Sequence, residues 1–354
     1  MSRRLSAVWR AVGLSAGVAA VTLTLLVGVL GVGGYDVGAA LRALAGGAFG
    51  SWSAFLSGTL VRATPLLFAG LAVAIAFRAG VLNIGAEGQL VVGAAVAAAV
   101  SLTVGQPLGL AALPLALVAG AVSGAAWAAI AAVLRARFGV LEVISTIMLN
   151  FIAQYGLAWL VRGPLQEPTH IYPQSETIAS LARLPALAGG IRLHWGFVIA
   201  LAAAVALWLM LRRTASGFRV RAVGANPFAA ASAGRIDTGR VATGAFLLSG
   251  ALAGLGGAVE VSGVTYALYE NISPGYGYTA IAVALLARLN PLLVVASAVL
   301  FGALEAGAVS MQRDAAVPSV VVSVVEAVLI LVVVATDSVR DRWFAMRWFA
   351  RRAA

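Results

Sequence analysis

Three polar side chains and three glycines fall together in Ala79-Gly80-Val81-Leu82-Asn83-Ile84-Gly85-Ala86-Glu87-Gly88-Gln89, between two long apolar runs. Asn83, Glu87 and Gln89 bring amide and carboxylate groups that hydrocarbon cannot solvate, while Gly80, Gly85 and Gly88 let the backbone leave a helix. The chemistry such groups offer is hydrogen bonding to a polar solute in a translocation region or its gate, because ionisable residues at membrane depth are functional candidates. A cytoplasmic turn whose carboxylate sits near the start of the next helix, where the helix dipole favours it, would have the same composition.

Covalent chemistry has little to work with. The chain has no cysteine and all of its 24 basic residues are arginine. Disulfides and thiolate sites are therefore excluded, and so is a phosphate-binding loop of the G-x-x-x-x-G-K-[ST] type. The two histidines, His170 and His194, fall around one hydrophilic stretch and are expected as interfacial or loop residues, so no metal site and no cofactor is expected. No nucleophile–base pair can be assembled, and a membrane enzyme is disfavoured.

The elements that hold these residues must be membrane-spanning. Hydrophobic residues make up 62% of the 354 and charged ones only 10%, against about 25% charged in a soluble domain. The expected fold is an all-α polytopic membrane protein of about ten transmembrane helices in one permease domain. The net charge of +11 is scattered between apolar runs, which argues for topology and against nucleic acid.

In order, the spans are expected over 11–32, 62–77, 90–104, 108–134, 140–161, 194–211, 241–263, 278–287, 292–311 and 318–336. The first is a retained helix rather than a signal peptide. Residues 33–61 read as an external segment with an interfacial helix, Arg62 and Pro65 open the second span, and Pro114 kinks the fourth. Residues 162–193 form a long external loop, either a docking surface or a solvated connector. Residues 212–240 form the most basic, cytoplasmic loop, and a basic tail runs from Arg340 to Arg352. Arginines lie inside by a wide margin, which places both termini in the cytoplasm.

A second interrupted stretch, Tyr266–Tyr278, carries Asn271, Pro274, Gly275 and Gly277 and corresponds in position to the first. Five spans followed by five inverted ones would explain the pair, with solute passing along the interface of the halves. Glu260, Glu305 and Glu326 sit inside apolar spans with no basic residue there to pair with them, which keeps an ion-coupled secondary transporter as an alternative. Small-residue runs such as 250–257 are expected to pack helix on helix.

Within the basic loop, residues 222–234 read as a turn, a short helix and a stop. Asn226 can cap, Pro227 suits the first helical position and Gly234 the end. A surface helix exposing Phe228 and alanines would suit a partner's groove.

Arg62-Ala63-Thr64-Pro65, Gly70-Leu71-Ala72-Val73, Phe77-Arg78-Ala79-Gly80 and the Asn83–Gln89 segment resemble permease subunits of ABC importers of the branched-chain amino acid and simple-sugar superfamily. Glu142–Asn150 and Gly224-Ala225-Asn226-Pro227 look closest to the nucleoside-uptake branch. The resemblance covers roughly residues 55–335. It implies a bacterial cell-membrane permease working by alternating access with a separate ABC ATPase, a second permease subunit and an external substrate-binding lipoprotein. It implies that Gly224, Asn226, Pro227, Phe228, Ala229, Ala230 and Gly234 form the helix coupled to the ATPase. Phe228, in place of an acid, and Arg235, in place of isoleucine, depart from the family pattern. For a nucleoside, with hydroxyls and a flat base, the pathway candidates are Asn83, Glu87, Gln89, Asn150, Asn271, Tyr276 and Tyr278. A simple sugar or related small solute is the alternative cargo.

Overall fold

The computed structural model describes residues 24, 26–104, 107, 109–318, 320, 321, 323, 324 and 327. Most of the expected first and tenth spans, Glu326 and the basic tail lie outside those residues. Among the described residues seven helices are long and apolar enough to cross a membrane, and two shorter apolar helices accompany them. No strand longer than an isolated bridge is present among them, so the chain is an all-α polytopic membrane protein.

Residues 55–303 form one compact unit; the described residues before 55 and after 303 belong to another. In the latter, α1 (Val37–Phe49) is capped by Asp36, whose carboxylate accepts the Ala39 N–H at 2.9 Å. Its Ala40 packs with Leu26, Leu30, Ala308 and Met311. The stretch expected as external thus holds a helix with a buried face.

The larger unit contains α2 (Leu60–Arg78), α3 (Ala86–Val104), α4 (Ala112–Phe138), α5 (Glu142–Val161), α6 (Trp195–Arg213), α7 (Ala215–Ala225), α8 (Pro227–Ser232), α9 (Thr238–Glu260) and α10 (Tyr276–Leu286). The last helix, α11 (Pro291–Ala315), runs from this unit into the other. The span of α2 is 89% buried, whereas those of α4 and α6 are 28% buried. A helix apolar all round belongs at the centre, and α2 is the axis of the unit.

Several expected limits move. A π-helical turn over Ala54–Thr59 leads straight into α2, so Arg62 and Pro65 lie inside the helix rather than at its mouth. Pro114 is the third residue of α4, where the N–H it lacks would have no helical partner, so it removes nothing and no kink is needed. Glu87 and Gln89 belong to α3, and the break itself is residues 79–85. The expected loop of residues 212–240 holds two helices, α7 and α8.

Close helix contact rests on glycine. Gly120 and Gly124 of α4 face Gly250 and Gly254 of α9 with backbone against backbone, and Gly93 of α3 meets Gly254 from another side. Small residues permit this approach, and helices in lipid associate through such packing. An added Cβ at Gly254 would meet the Gly120 carbonyl and the Gly124 Cα. Gly254→Leu is therefore expected to cost about 3 kcal/mol or more through overpacking. The check is thermal unfolding of the purified protein in detergent, with Gly244→Ala as control, since nothing lies within 4 Å of an added Cβ there.

Candidate functional site

The first break begins where α2 stops at Arg78. Gly80 takes a left-handed φ of 75°, and the chain is non-helical until α3 starts at Ala86. Asn83 anchors this stretch. Its Oδ1 accepts the Gly85 N–H at 2.8 Å and the Gln89 amide at 3.1 Å. Its Nδ2 donates to Gln89 Oε1 at 2.9 Å and to Ser249 Oγ at 2.8 Å. The Ser249 hydroxyl donates in turn to the Ala72 carbonyl at 2.6 Å, so one amide ties together α2, α3 and α9. All three side chains are buried, and their polar groups satisfy one another.

Asn150, from α5, supplies a cap that α3 lacks in its own sequence. Its Oδ1 accepts the N–H of Gly88, an orphan donor of the first turn, at 2.8 Å. Its Nδ2 donates to the Ile84 carbonyl at 2.9 Å and to the Tyr278 hydroxyl at 3.3 Å.

The two breaks meet at Glu87. This carboxylate is 1% exposed and accepts the Gly277 N–H, at the start of α10, at 2.7 Å. The Ser273 hydroxyl also hydrogen-bonds to it. Ser273 Oγ accepts the N–H groups of Gly275 and Tyr276, at 3.3 and 3.1 Å. Glu87 therefore lies at the N-termini of two helices, its own α3 and the shorter α10, where both dipoles favour a negative charge. The approach is tight, since a Cβ on Gly277 would collide with the backbone of Glu87.

The second break is braced along its length by the 162–193 loop. Ser175 N–H bonds to the Leu268 carbonyl at 2.9 Å, Ile178 N–H to that of Tyr266 at 2.8 Å and Leu184 N–H to that of Ser262 at 2.7 Å. Arg162 pairs with Glu270 at 2.8 Å. Glu167 orders the loop's tip by accepting from Gln174 at 2.7 Å and Thr169 at 2.8 Å. Those bonds hold its carboxyl below the usual carboxylate range. The loop is a brace with its own internal bonds, more than a solvated connector.

Of the seven sequence-selected pathway residues, Asn83, Glu87, Gln89, Asn150 and Tyr278 fall in the region where the breaks meet. Tyr276 is buried at the start of α10, while Asn271 stands apart, exposed in the second break. Ser249 and Ser273 complete the network and were not singled out in the sequence. Nothing distinguishes a serine in an alanine- and glycine-rich run until its partner is known.

The far end of the first break touches the basic loop. A Cβ on Gly224 would meet the Arg78 carbonyl and the Gly80 nitrogen, so α7 abuts the turn that ends α2. Beside this contact lies a cleft of about 430 Å³ lined by Gly80, Arg135, Gly224, Pro227 and Phe246 among others. Asn226 Oδ1 accepts the Ala229 N–H at 3.0 Å and Pro227 takes the first position of α8, as the sequence indicates. Residues 222–225 are the end of α7 rather than a turn. Phe228 is 85% exposed and Ala229 is exposed, but Ala230 is buried, so only part of the alanine face is presented. The left-handed residue after α8 is Arg235, with φ 48°, instead of Gly234.

At the opposite end of the bundle, His194 departs from expectation. It is 1% exposed and caps α6, with Nδ1 accepting the Gly196 N–H at 3.1 Å. Burial lowers its pKa to about 4 and keeps the ring neutral. Glu260, in α9, is also buried, and the arginines whose charge reaches it, Arg62 and Arg192, come from other elements.

The family model for the branched-chain amino acid transport system permease component matches residues 55–334. The chain is 40% identical to the glucose ABC transporter permease protein TsgB13 of Haloferax volcanii, over 80% of this chain and 76% of that one. It is 40% identical to the guanosine ABC transporter permease protein NupP of Bacillus subtilis, over 87% of this chain and 89% of that one. A second Bacillus subtilis protein, the guanosine permease NupQ, is 31% identical over 71% of this chain and 80% of its own length. No solved structure matches the chain at comparable significance. A polytopic helical unit with two interrupted stretches and a match over most of its length place this chain in the family of branched-chain amino acid transport system permease components.

Proposed function

We propose that this chain is the permease subunit of an ATP-driven importer of nucleosides in a bacterial cell membrane, with both termini cytoplasmic. It forms a single permease domain in which residues 162–193 are the external loop and residues 212–240 the cytoplasmic coupling loop. A separate ABC ATPase drives alternating access through α8, and an external lipoprotein delivers the solute. The chain itself breaks no bond in the solute.

The observation that carries the mechanism is the chain of contacts from the end of α7, immediately before α8, to the meeting point of the two breaks. Gly224 abuts the Gly80 turn, the Asn83 network follows three residues later, and Glu87 joins α3 to α10. A push on the basic loop therefore acts on a closed, hydrogen-bonded junction at membrane depth, where irregular backbone is tolerated only if buried or lining a cavity. Asn83, Glu87, Gln89, Asn150, Asn271, Tyr276 and Tyr278 are assigned to this pathway. Internal satisfaction of the network fits a closed state that must part before solute crosses.

The nucleoside assignment rests on the guanosine relative, which aligns with most of both chains. Two distinct guanosine permeases in Bacillus subtilis support a non-identical second permease subunit here. The glucose relative, equally similar, supports a simple sugar as the second reading.

The deciding experiment reconstitutes the chain with its partner subunits in vesicles and follows uptake of labelled guanosine, adenosine, ribose and glucose. ATP-dependent uptake of nucleosides supports the assignment. Uptake of sugars alone would replace the solute, and uptake that follows an ion gradient without ATP would overturn the importer.

A further inference from the structure

Between α2, α6, α7 and α9 lies a groove of about 290 Å³ whose lining joins two guanidinium groups to apolar side chains and, among the described residues, holds no carboxylate. Helix α7 packs against both α6 and α9. Arg219 of α7 and Arg240 of α9 supply the charge, while Met210 of α6 and Ile75 of α2 belong to the apolar wall. From α9 the groove takes Arg240, Val241, Gly244, Ala245 and Leu248, the spacing of one helical face. That face runs about 12 Å, from a charged start at the end of the bundle to an apolar finish inside the span. Gly244 is exposed at its middle, and nothing lies within 4 Å of a Cβ added there, so the groove is open along its length.

The neighbouring helix sets the depth. Trp208 of α6, two residues before Met210, has the Arg212 guanidinium 5.1 Å from its ring centroid. Tryptophan and arginine at a helix end mark the level of lipid headgroups. The span of α6 is only 28% buried and leaves Val205 and Leu209 exposed, so it is an outer helix of the unit with an apolar surface. Arg219 and Arg240 are exposed at the charged end. Asp237 pairs with Arg240 Nε at 3.1 Å, but both partners are largely exposed. Such a pair is weak, and the guanidinium keeps its terminal N–H groups for a second acceptor.

We propose that this groove binds an anionic phospholipid, with Arg219 and Arg240 holding the phosphodiester and an acyl chain lying along α9 past Gly244 toward Leu248. Guanidinium groups pair with phosphate through two parallel N–H donors, and basic pockets between spanning helices suit anionic headgroups. A zwitterionic lipid would meet the same apolar wall but bring its own cation to the two arginines. Bound there, the lipid braces α7, the helix that leads directly into α8, against two spanning helices. This binding requires no particular solute and stands apart from the nucleoside reading.

The test titrates the purified chain with phosphatidylglycerol and with phosphatidylcholine of the same acyl chains, and reads affinity from the lipid retained in native mass spectrometry. Phosphatidylglycerol is expected to bind roughly 25-fold more tightly, about 5-fold for each arginine. Arg219→Gln and Arg240→Gln, both at exposed positions, should each weaken it by roughly 5-fold and leave phosphatidylcholine unchanged. Arg235→Gln, which makes the same charge change in the same loop but outside the groove, should leave both lipids unmoved. Gly244→Phe fills the groove and should weaken both lipids alike. Equal affinity for the two lipids, or a phosphatidylglycerol affinity that survives both arginine substitutions, overturns the site. Displacement by inorganic phosphate, with Gly244→Phe having no effect, would make it a site for free anions and overturn it too. A lipid held by the isolated chain but missing from the complex with its ATPase would give the groove to that protein, with the same consequence. None of these readings involves uptake, so failure here and failure of nucleoside import are told apart.

Discussion

Glu87→Ala is expected to abolish uptake, with thermal stability of the purified protein reduced by about 2–6 kcal/mol. The carboxylate accepts from Gly277 N–H and from the Ser273 hydroxyl in a site that excludes water. Truncation leaves both donors buried without an acceptor, at about 1–3 kcal/mol each. It also removes the carboxyl group from the N-termini of two helices. Glu87→Gln keeps one carbonyl oxygen for Gly277 and should retain most of the stability and a measurable part of the uptake. Gly277→Val should resemble Glu87→Ala, since its side chain would occupy the space of the Glu87 backbone. Uptake and unfolding midpoints measured on the same preparations check all three. Normal uptake by Glu87→Ala would remove the junction from the transport mechanism.

Phe228→Asp and Ala229→Asp are expected to reduce uptake by roughly 30-fold or more while the chain stays folded. Phe228 has the anatomy of an anchoring residue, a large aromatic ring almost wholly exposed on a short capped helix. Loss of such an anchor costs an interface about 2 kcal/mol or more, which is that factor in affinity. A charge on the same surface must be desolvated against the partner groove. Basal hydrolysis by the partner ATPase should persist, because its own nucleotide sites are untouched, so the ratio of solute moved to ATP consumed falls. Ala230 is unsuited to this test, since it is buried and an aspartate there would unfold α8 before reporting on docking. The readout is ATPase activity and uptake in the same vesicles, with unchanged coupling for Phe228→Asp as the result that removes α8 from the interface.

Spacing and type alone located the first break and the short helix after Asn226. Gly80 needs its left-handed turn, Asn226 and Pro227 form a local cap, and the apolar runs have the lengths a bilayer sets; each of these is a property of a few consecutive residues. Apolar composition likewise fixed the polytopic helical class.

Other features could not be read from one stretch. Pro65 looked like a helix start, but a π-helical turn upstream carries the helix past it. His194 looked like a loop residue, and only the glycines of two separate elements around its ring reveal a buried cap with a free donor. The arginines that act on buried Glu260, Arg62 and Arg192, come from outside its span and could not be assigned to it from the sequence. Glu87 could be placed near a helix start, but its second partner is 190 residues away in sequence. Local chain stiffness and hydrogen bonding to near neighbours are written into short segments, whereas burial and long-range partners exist only once helices pack. In this chain the sequence determined where the helices break, and tertiary packing decided that the two breaks meet at one carboxylate.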